Sequence, residues 1–374
     1  QQAREIDRFR DANVRLADVA VKQQVIGQSF FTVVQAFLGA SPVLVYLAAA
    51  FVLDRSPGAI TAGTIVAFTT LQTRLFFPVA RLLETSVELQ SSRALFRRIF
   101  AYMDTETEIV ERPDARTVGR TGTRGEIRFD RVSFHYDTDG EQPHAALDDL
   151  SFTAAPGQLV AFVGPSGAGK STVLSLVARL YDPTDGAVLL DGVDLRDLTL
   201  ASIADVVGFV TQESYLFADT LRANIAYGSP HATETEIEKA ARAAAIHDRI
   251  TEFPEGYDTA VGERGIRLSG GERQRIAIAR VLLHDPRVLI MDEATSALDT
   301  ASERRIQAAL GELISGRTTL AVAHRLSTIQ AADVIHVIDH GRVVESGSHD
   351  QLLAREGVYR TLYHEQFGDG TIET

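Results

Sequence analysis

Residues 164–172 read GPSGAGKST, in full Gly164, Pro165, Ser166, Gly167, Ala168, Gly169, Lys170, Ser171 and Thr172. The run follows the apolar stretch LVAFV and precedes the helix-like STVLSLVARL. In that strand–loop–helix setting the spacing G-x-x-x-x-G-K-[ST] makes a phosphate cradle. Glycines at 164, 167 and 169 let main-chain N–H groups come close to phosphate oxygens, and the following helix N-terminus adds positive potential. Lys170 can reach the β- and γ-phosphates, and the Ser171 hydroxyl can ligate Mg²⁺.

Further along, VLIMDE at 288–293 is an apolar run ending in two carboxylates. Asp292 is an oxygen ligand of the kind a hard cation takes, and Glu293 could orient or deprotonate an attacking water. Taken alone, such a pair is a helix cap with a solvated acid; the phosphate loop on the same chain shifts the balance towards metal and water. His324 follows TTLAVA and could touch a γ-phosphate, although a lone histidine is more often structural. Gln212 closes VVGFVTQ and could ligate Mg²⁺ through its amide oxygen; by itself it reads as a solvated residue. At 268–272, LSGGE opens a helical run with Ser269, Gly270 and Gly271, either a plain helix cap or a second anion site. Two phosphate-binding helix starts in one chain suggest that two copies hold one nucleotide from opposite sides.

The elements that must position these groups are visible as short β-like runs with helical stretches between several of them. They argue for an α/β fold with a mainly parallel sheet. The earliest runs have little helix between them and predict an added antiparallel part. Residues 106–125, polar and carrying Pro113, read as a linker into a domain at 126–374.

Residues 1–105 have a different character. From Phe30 to Leu53 there are 24 consecutive uncharged residues, enough to cross a ~30 Å hydrocarbon core as a helix even with Pro42 inside. A short turn at 54–58 precedes a second uncharged stretch, which predicts a returning span over about 59–80, its threonines facing a polar cavity or another helix. An amphipathic continuation follows to Met103. Arginines flank the hairpin on both outer sides, so its ends are expected in the cytoplasm and its turn outside. Two spans enclose no pathway, and the chain starts without Met; the expectation is the C-terminal part of a longer multi-pass protein of the cell membrane.

Composition sets limits on this reading. The chain of 374 residues has no cysteine, which excludes disulfides, thiolate metal sites and a cysteine nucleophile. Net charge is −13, carried almost wholly by the part after residue 110, and it argues against nucleic acid as a partner held by bulk charge.

Taken in order, GPSGAGKST, Gln212, LSGGE, VLIMDE, SALD at 296–299 and His324 resemble the nucleotide-binding domain of ABC transporters, over about residues 126–365. The preceding hairpin resembles the last two membrane helices of the B-type (multidrug, lipid or peptide) exporters. The resemblance implies ATP and Mg²⁺ as cofactors and ATP hydrolysis coupled to transport. It implies a second half-transporter as partner, identical or not, with the ATPase domain in the cytoplasm and an unidentified substrate. It implies adenine stacking by Tyr136, magnesium ligation by Ser171, Gln212 and Asp292, and catalysis by Glu293, His324 and Lys170. Ser269, Gly270 and Gly271 would close over the partner's ATP, and Asp299 would cross the dimer interface. Two residues depart from the pattern: Glu272, where Gln is commoner, and Ala260, where many exporters carry Glu. The rival expectation is a soluble ABC ATPase acting on nucleic acid or protein complexes, with residues 30–80 as a core hairpin.

Overall fold

The computed structural model describes all residues except 1, 57–59, 106, 137–144, 212–214, 263–267, 293–299, 324 and 368–374. Two units are distinct, residues 1–106 and 107–374.

The first unit is two long helices, α1 (Gln2–Arg55) and α2 (Ala62–Met103). Pro42 and Pro78 lie inside them. At 1.5 Å per residue the 54-residue α1 is about 80 Å long, well beyond the 24-residue uncharged stretch that predicts it. Among the described residues α1 is the one helix long and apolar enough to cross a membrane by length and composition. Its Val33, Phe37, Leu44 and Phe51 are exposed. Thr61 caps α2, its hydroxyl accepting from the Thr64 amide. Thr69 bonds back to the Ile65 and Val66 carbonyls at 3.0 and 3.1 Å, and Thr70 to Val66 at 2.7 Å, so these hydroxyls are satisfied within their own helix. Between the helices, the Gln72 amide donates to the Ser41 hydroxyl.

The second unit carries two sheets. Strands β1 (Ile127–His135), β2 (Ala145–Ala154), β4 (Asp185–Leu190) and β5 (Val193–Asp194) form an antiparallel sheet in the order β2-β1-β4-β5. Strands β3 (Leu159–Val163), β6 (Val207–Val210), β7 (Val288–Asp292), β8 (Thr318–Val322), β9 (Val334–Asp339) and β10 (Arg342–Gly347) form the other, in the order β10-β9-β3-β8-β7-β6. It is parallel except for β10, which pairs antiparallel with β9. The α/β reading with a mainly parallel sheet and an antiparallel addition is what the chain adopts. The helices are α3 (Lys170–Val177), α4 (Leu200–Val206), α5 (Leu221–Ala226), α6 (Glu234–Ala243), α7 (His247–Thr251), α8 (Gly270–His284), α9 (Thr300–Ile314), α10 (Leu326–Ala331), α11 (His349–Leu353) and α12 (Val358–Phe367).

The unbroken apolar run of β3 has a simple cause. Leu159, Ala161 and Val163 pack into one core, with residues of α5, α6 and α8, while Val160 and Phe162 pack into the other, with β1, β2 and α3. A strand buried on both faces needs apolar residues at every position. The first residues of this unit, 107–125, are bonded to it. The Arg116 amide donates to the Asp197 carbonyl at 2.7 Å and the Val118 amide to the Ser202 hydroxyl at 2.9 Å. Arg179, with 1% of its side chain exposed, reaches the carbonyls of Val110 and Leu198 and the carboxylate of Asp182.

Candidate functional site

The phosphate loop hangs between β3 and α3, which starts at Lys170 behind a left-handed Gly169 (φ 104°). The three glycines do different work. A Cβ on Gly164 would overlap the Ile338 carbonyl oxygen of β9, and one on Gly169 would overlap the Ala146 carbonyl oxygen of β2. At these two positions the protein's own backbone demands glycine. Gly167, at φ +80°, has nothing within 4 Å of its missing Cβ, so it alone meets the sequence-derived picture of a backbone left open to a ligand. Hydrogen bonds fix the loop further: Gly341 donates to the Ala168 carbonyl at 3.1 Å, and Asp148 to the Gly341 carbonyl at 3.0 Å.

Lys170 is buried, and its ammonium donates to the Gly164 and Pro165 carbonyls at 2.8 Å each. Burial lowers its pKa, and the nearby Asp292 carboxylate opposes that shift. An ammonium held by neutral carbonyls has charge left for an anion. The loop, with Ser166, Ser171 and Thr172, lines a cavity of about 770 Å³. Tyr136 lines the same cavity. Its hydroxyl lies 3.1 Å from the Thr172 hydroxyl, and its ring sits edge-on to Phe134 and Tyr181, with centroids 4.8 and 5.3 Å away. Two aromatic neighbours and a hydroxyl anchor hold a ring that remains 39% exposed, which suits it to stack on a planar ligand.

Asp292 ends β7, paired with Val322 of β8. Ser171 and Asp292 are oxygen donors of the type Mg²⁺ takes. Among the described residues there is no group of three or more His, Asp or Glu side chains that could hold a metal. Gln212, Glu293, Asp299 and His324, with the rest of the SALD segment, lie outside the described residues.

The LSGGE helix start is formed. Ser269 caps α8, accepting from the Glu272 amide at 3.3 Å, while the Glu272 carboxylate accepts the Ser269 amide at 2.7 Å. Arg249 holds the same carboxylate at 2.7 Å. Burial alone would raise the Glu272 pKa; the Ser269 amide and the Arg249 guanidinium outweigh it and leave the carboxyl below its usual range. Glu272, a departure at the level of the motif, is therefore the reciprocal half of a capping box. The S-x-x-E spacing carried that signal in the sequence. Ser269 and Gly270 are exposed, and none of Ser269, Gly270 and Gly271 lines the cavity of Lys170. Ala260, the other departure, is exposed and forms an isolated bridge with Thr220. The sequence reading missed two contributions to the site. One is the β9–β10 turn at Gly341 that seats the loop. The other is α12, whose Tyr359, Leu362, Tyr363 and Glu365 line the cavity. No spacing rule links residues so far apart.

A glycine loop between a buried parallel strand and a helix, with an aromatic beside it and a second capped Ser-Gly-Gly helix start, defines an ABC ATPase domain. The ABC transporter family profile matches residues 147–296, so the second unit carries that family's domain. It is 44% identical over 373 residues to the ATP-dependent lipid A-core flippase of Syntrophus aciditrophicus, covering 99% of this chain and 60% of the flippase. It is 42% identical over 373 residues to ATP-binding cassette sub-family B member 6 of Mus musculus, covering 98% of this chain and 43% of that protein. A solved bacterial Atm1-family ABC exporter with ATP bound superposes with a TM-score of 0.79 at 41% identity, over 98% of this chain and 63% of that one. The chain thus spans less than two thirds of these relatives.

Proposed function

We propose that this chain is the ATP-hydrolysing and membrane-proximal part of an ABC exporter in the cell membrane, with its ATPase domain in the cytoplasm. The observation that carries the reading is the buried Lys170 ammonium at the wall of a cavity that also holds Tyr136. In this reading Tyr136 stacks on adenine, and Gly164 to Thr172 wrap the phosphates. Lys170 steadies the β/γ bridge. Ser171 and Asp292, with Gln212, hold Mg²⁺, which when bound neutralises phosphate charge. Glu293, next along the chain from Asp292, accepts the proton of the attacking water, and His324 holds the γ-phosphate side.

The exposed Ser269 and Gly270, away from their own chain's cavity, support assembly of two half-transporters in which each supplies this helix tip to the other's ATP. Asp299 then lies at the shared interface. The apolar, exposed α1 supports a lipid surround, with α2 as the returning helix of a multi-pass bundle. One similar protein is named an ATP-dependent lipid A-core flippase, and the class of solute moved here is set by parts of the bundle beyond these two helices.

The test is Glu293→Gln in detergent-solubilised protein. The expected result is retained ATP binding, hydrolysis reduced by about 10²-fold or more, and accumulation of a dimer in gel filtration with ATP. Full hydrolysis by that variant rejects the role. Release of the chain from membranes by salt or carbonate without detergent would instead favour the soluble ATPase.

A further inference from the structure

One wall of the nucleotide cavity comes from the far end of the chain. Leu362, Tyr363 and Glu365 of α12 line it together with Ser166 and Lys170 of the phosphate loop. Three hydrogen bonds fix α12 in place. The Glu345 carboxylate of β10 accepts the first two helix amides, Val358 at 2.6 Å and Tyr359 at 3.2 Å. Gly357 makes room for that carboxylate, since a Cβ there would overlap it. Tyr359 is 2% exposed in the core, and its hydroxyl lies 2.6 Å from the His349 ring nitrogen. Residues 359, 362 and 363 share one helix face by i, i+3, i+4 spacing, and 365 follows 362 by the same step. A helix pinned at its start therefore brings the residues of its last turns to the cavity.

Among the described residues that line this cavity, two carry charge: Lys170 and Glu365. Lys170 belongs to the phosphate cradle. Glu365 is a carboxylate in a cavity fitted for a polyanion, and no feature of the cradle uses it. We infer that Glu365 is an electrostatic brake on nucleotide affinity, positioned by α12, that weakens binding in proportion to the phosphate charge. The inference rests on the reading of the cavity as the nucleotide site. Glu365 is exposed, so water and salt screen its repulsion. The effect is accordingly graded, and it keeps the most highly charged ligand from being held too long.

The experiment measures equilibrium binding of ATP, ADP and adenosine to the full chain in detergent, for wild type, Glu365→Gln, Glu365→Asp and Lys170→Ala. Glu365→Gln is expected to tighten ATP about threefold at low salt, ADP less, and adenosine not at all. The gain shrinks towards nothing near 1 M salt, where the screening length is about 3 Å. Glu365→Asp, which keeps the charge, stays near wild type. An unchanged or weaker ATP affinity in Glu365→Gln, or equal tightening of adenosine, overturns the brake. If Lys170→Ala loses ATP while Glu365→Gln does not move, the brake alone falls; if Lys170→Ala binds ATP normally, the cavity assignment falls with it.

Discussion

Lys170, the glycines and Glu272 are where single atoms decide the outcome. Removing the Lys170 ammonium removes a charge-assisted bond to phosphate, and Lys170→Ala should weaken ATP binding about 10- to 100-fold, as titration with a fluorescent analogue would show. The glycines should separate by cause. Gly164→Ala drives a methyl group into the Ile338 carbonyl of β9 and should cost on the order of 3 kcal/mol or more of stability. Gly167→Ala meets only left-handed strain, about 1 kcal/mol, with the fold intact. Urea unfolding of the two variants checks the order; equal losses would contradict it. Glu272→Ala breaks the capping box and the Arg249 pair and should cost about 1–2 kcal/mol. Because the folded carboxyl titrates below its unfolded value of 4.5, this contribution is present above that pH and is lost as pH falls through the folded value. The motif named Ser269, Gly270 and Gly271 from sequence; it could not show that Glu272 is tied to Arg249, 23 residues earlier.

At the scale of elements, β9 carries the least expected feature. His336 sits in the middle of the strand, 6% exposed, with ring centroids of Phe152 and Phe162 at 5.2 and 5.9 Å. Neither ring nitrogen has a hydrogen-bond partner among the described residues, and burial pushes its pKa down to about 4. The unfolded chain binds this proton near pH 6.5 while the folded chain refuses it down to about 4. Stability should therefore fall as pH drops through that window, by on the order of 2–3 kcal/mol from this group. His336→Leu should flatten that part of the pH dependence in urea melts between pH 7 and pH 4.5. An unchanged slope would mean that the ring is hydrated or partnered in solution. The run VIHVID, apolar but for His336 and its closing Asp339, forms β9. It gave no sign that the histidine faces inward, because the two faces of a strand buried on both sides look alike in sequence.

The whole molecule divides at Glu106, and residues 107–125 belong to the ATPase unit. The segment read as polar linker is stitched on by Arg116, Val118 and the buried Arg179. A chain started at residue 107 should then fold as a water-soluble, cooperative unit. One started at 126 should be less stable by about 2–4 kcal/mol, having lost several part-buried hydrogen bonds and left Arg179 short of one partner. Thermal melts of the two truncated chains test this, and equal midpoints would mean that the segment is a free tether.

Residue order by itself determined the chemistry of the phosphate loop, the alternation of strands and helices, and the apolar length of α1. Each of these is a local pattern: a short motif, a period or an uninterrupted run, written in neighbours along the chain. Only the tertiary structure decided which backbone each glycine must clear, which carboxylate caps α12, and that the last helix walls the cavity of a loop nearly 200 residues earlier. Those outcomes depend on which strands lie side by side in the sheet, β3 between β8 and β9 above all. That order is set by packing two cores at once, and no local window of sequence contains it.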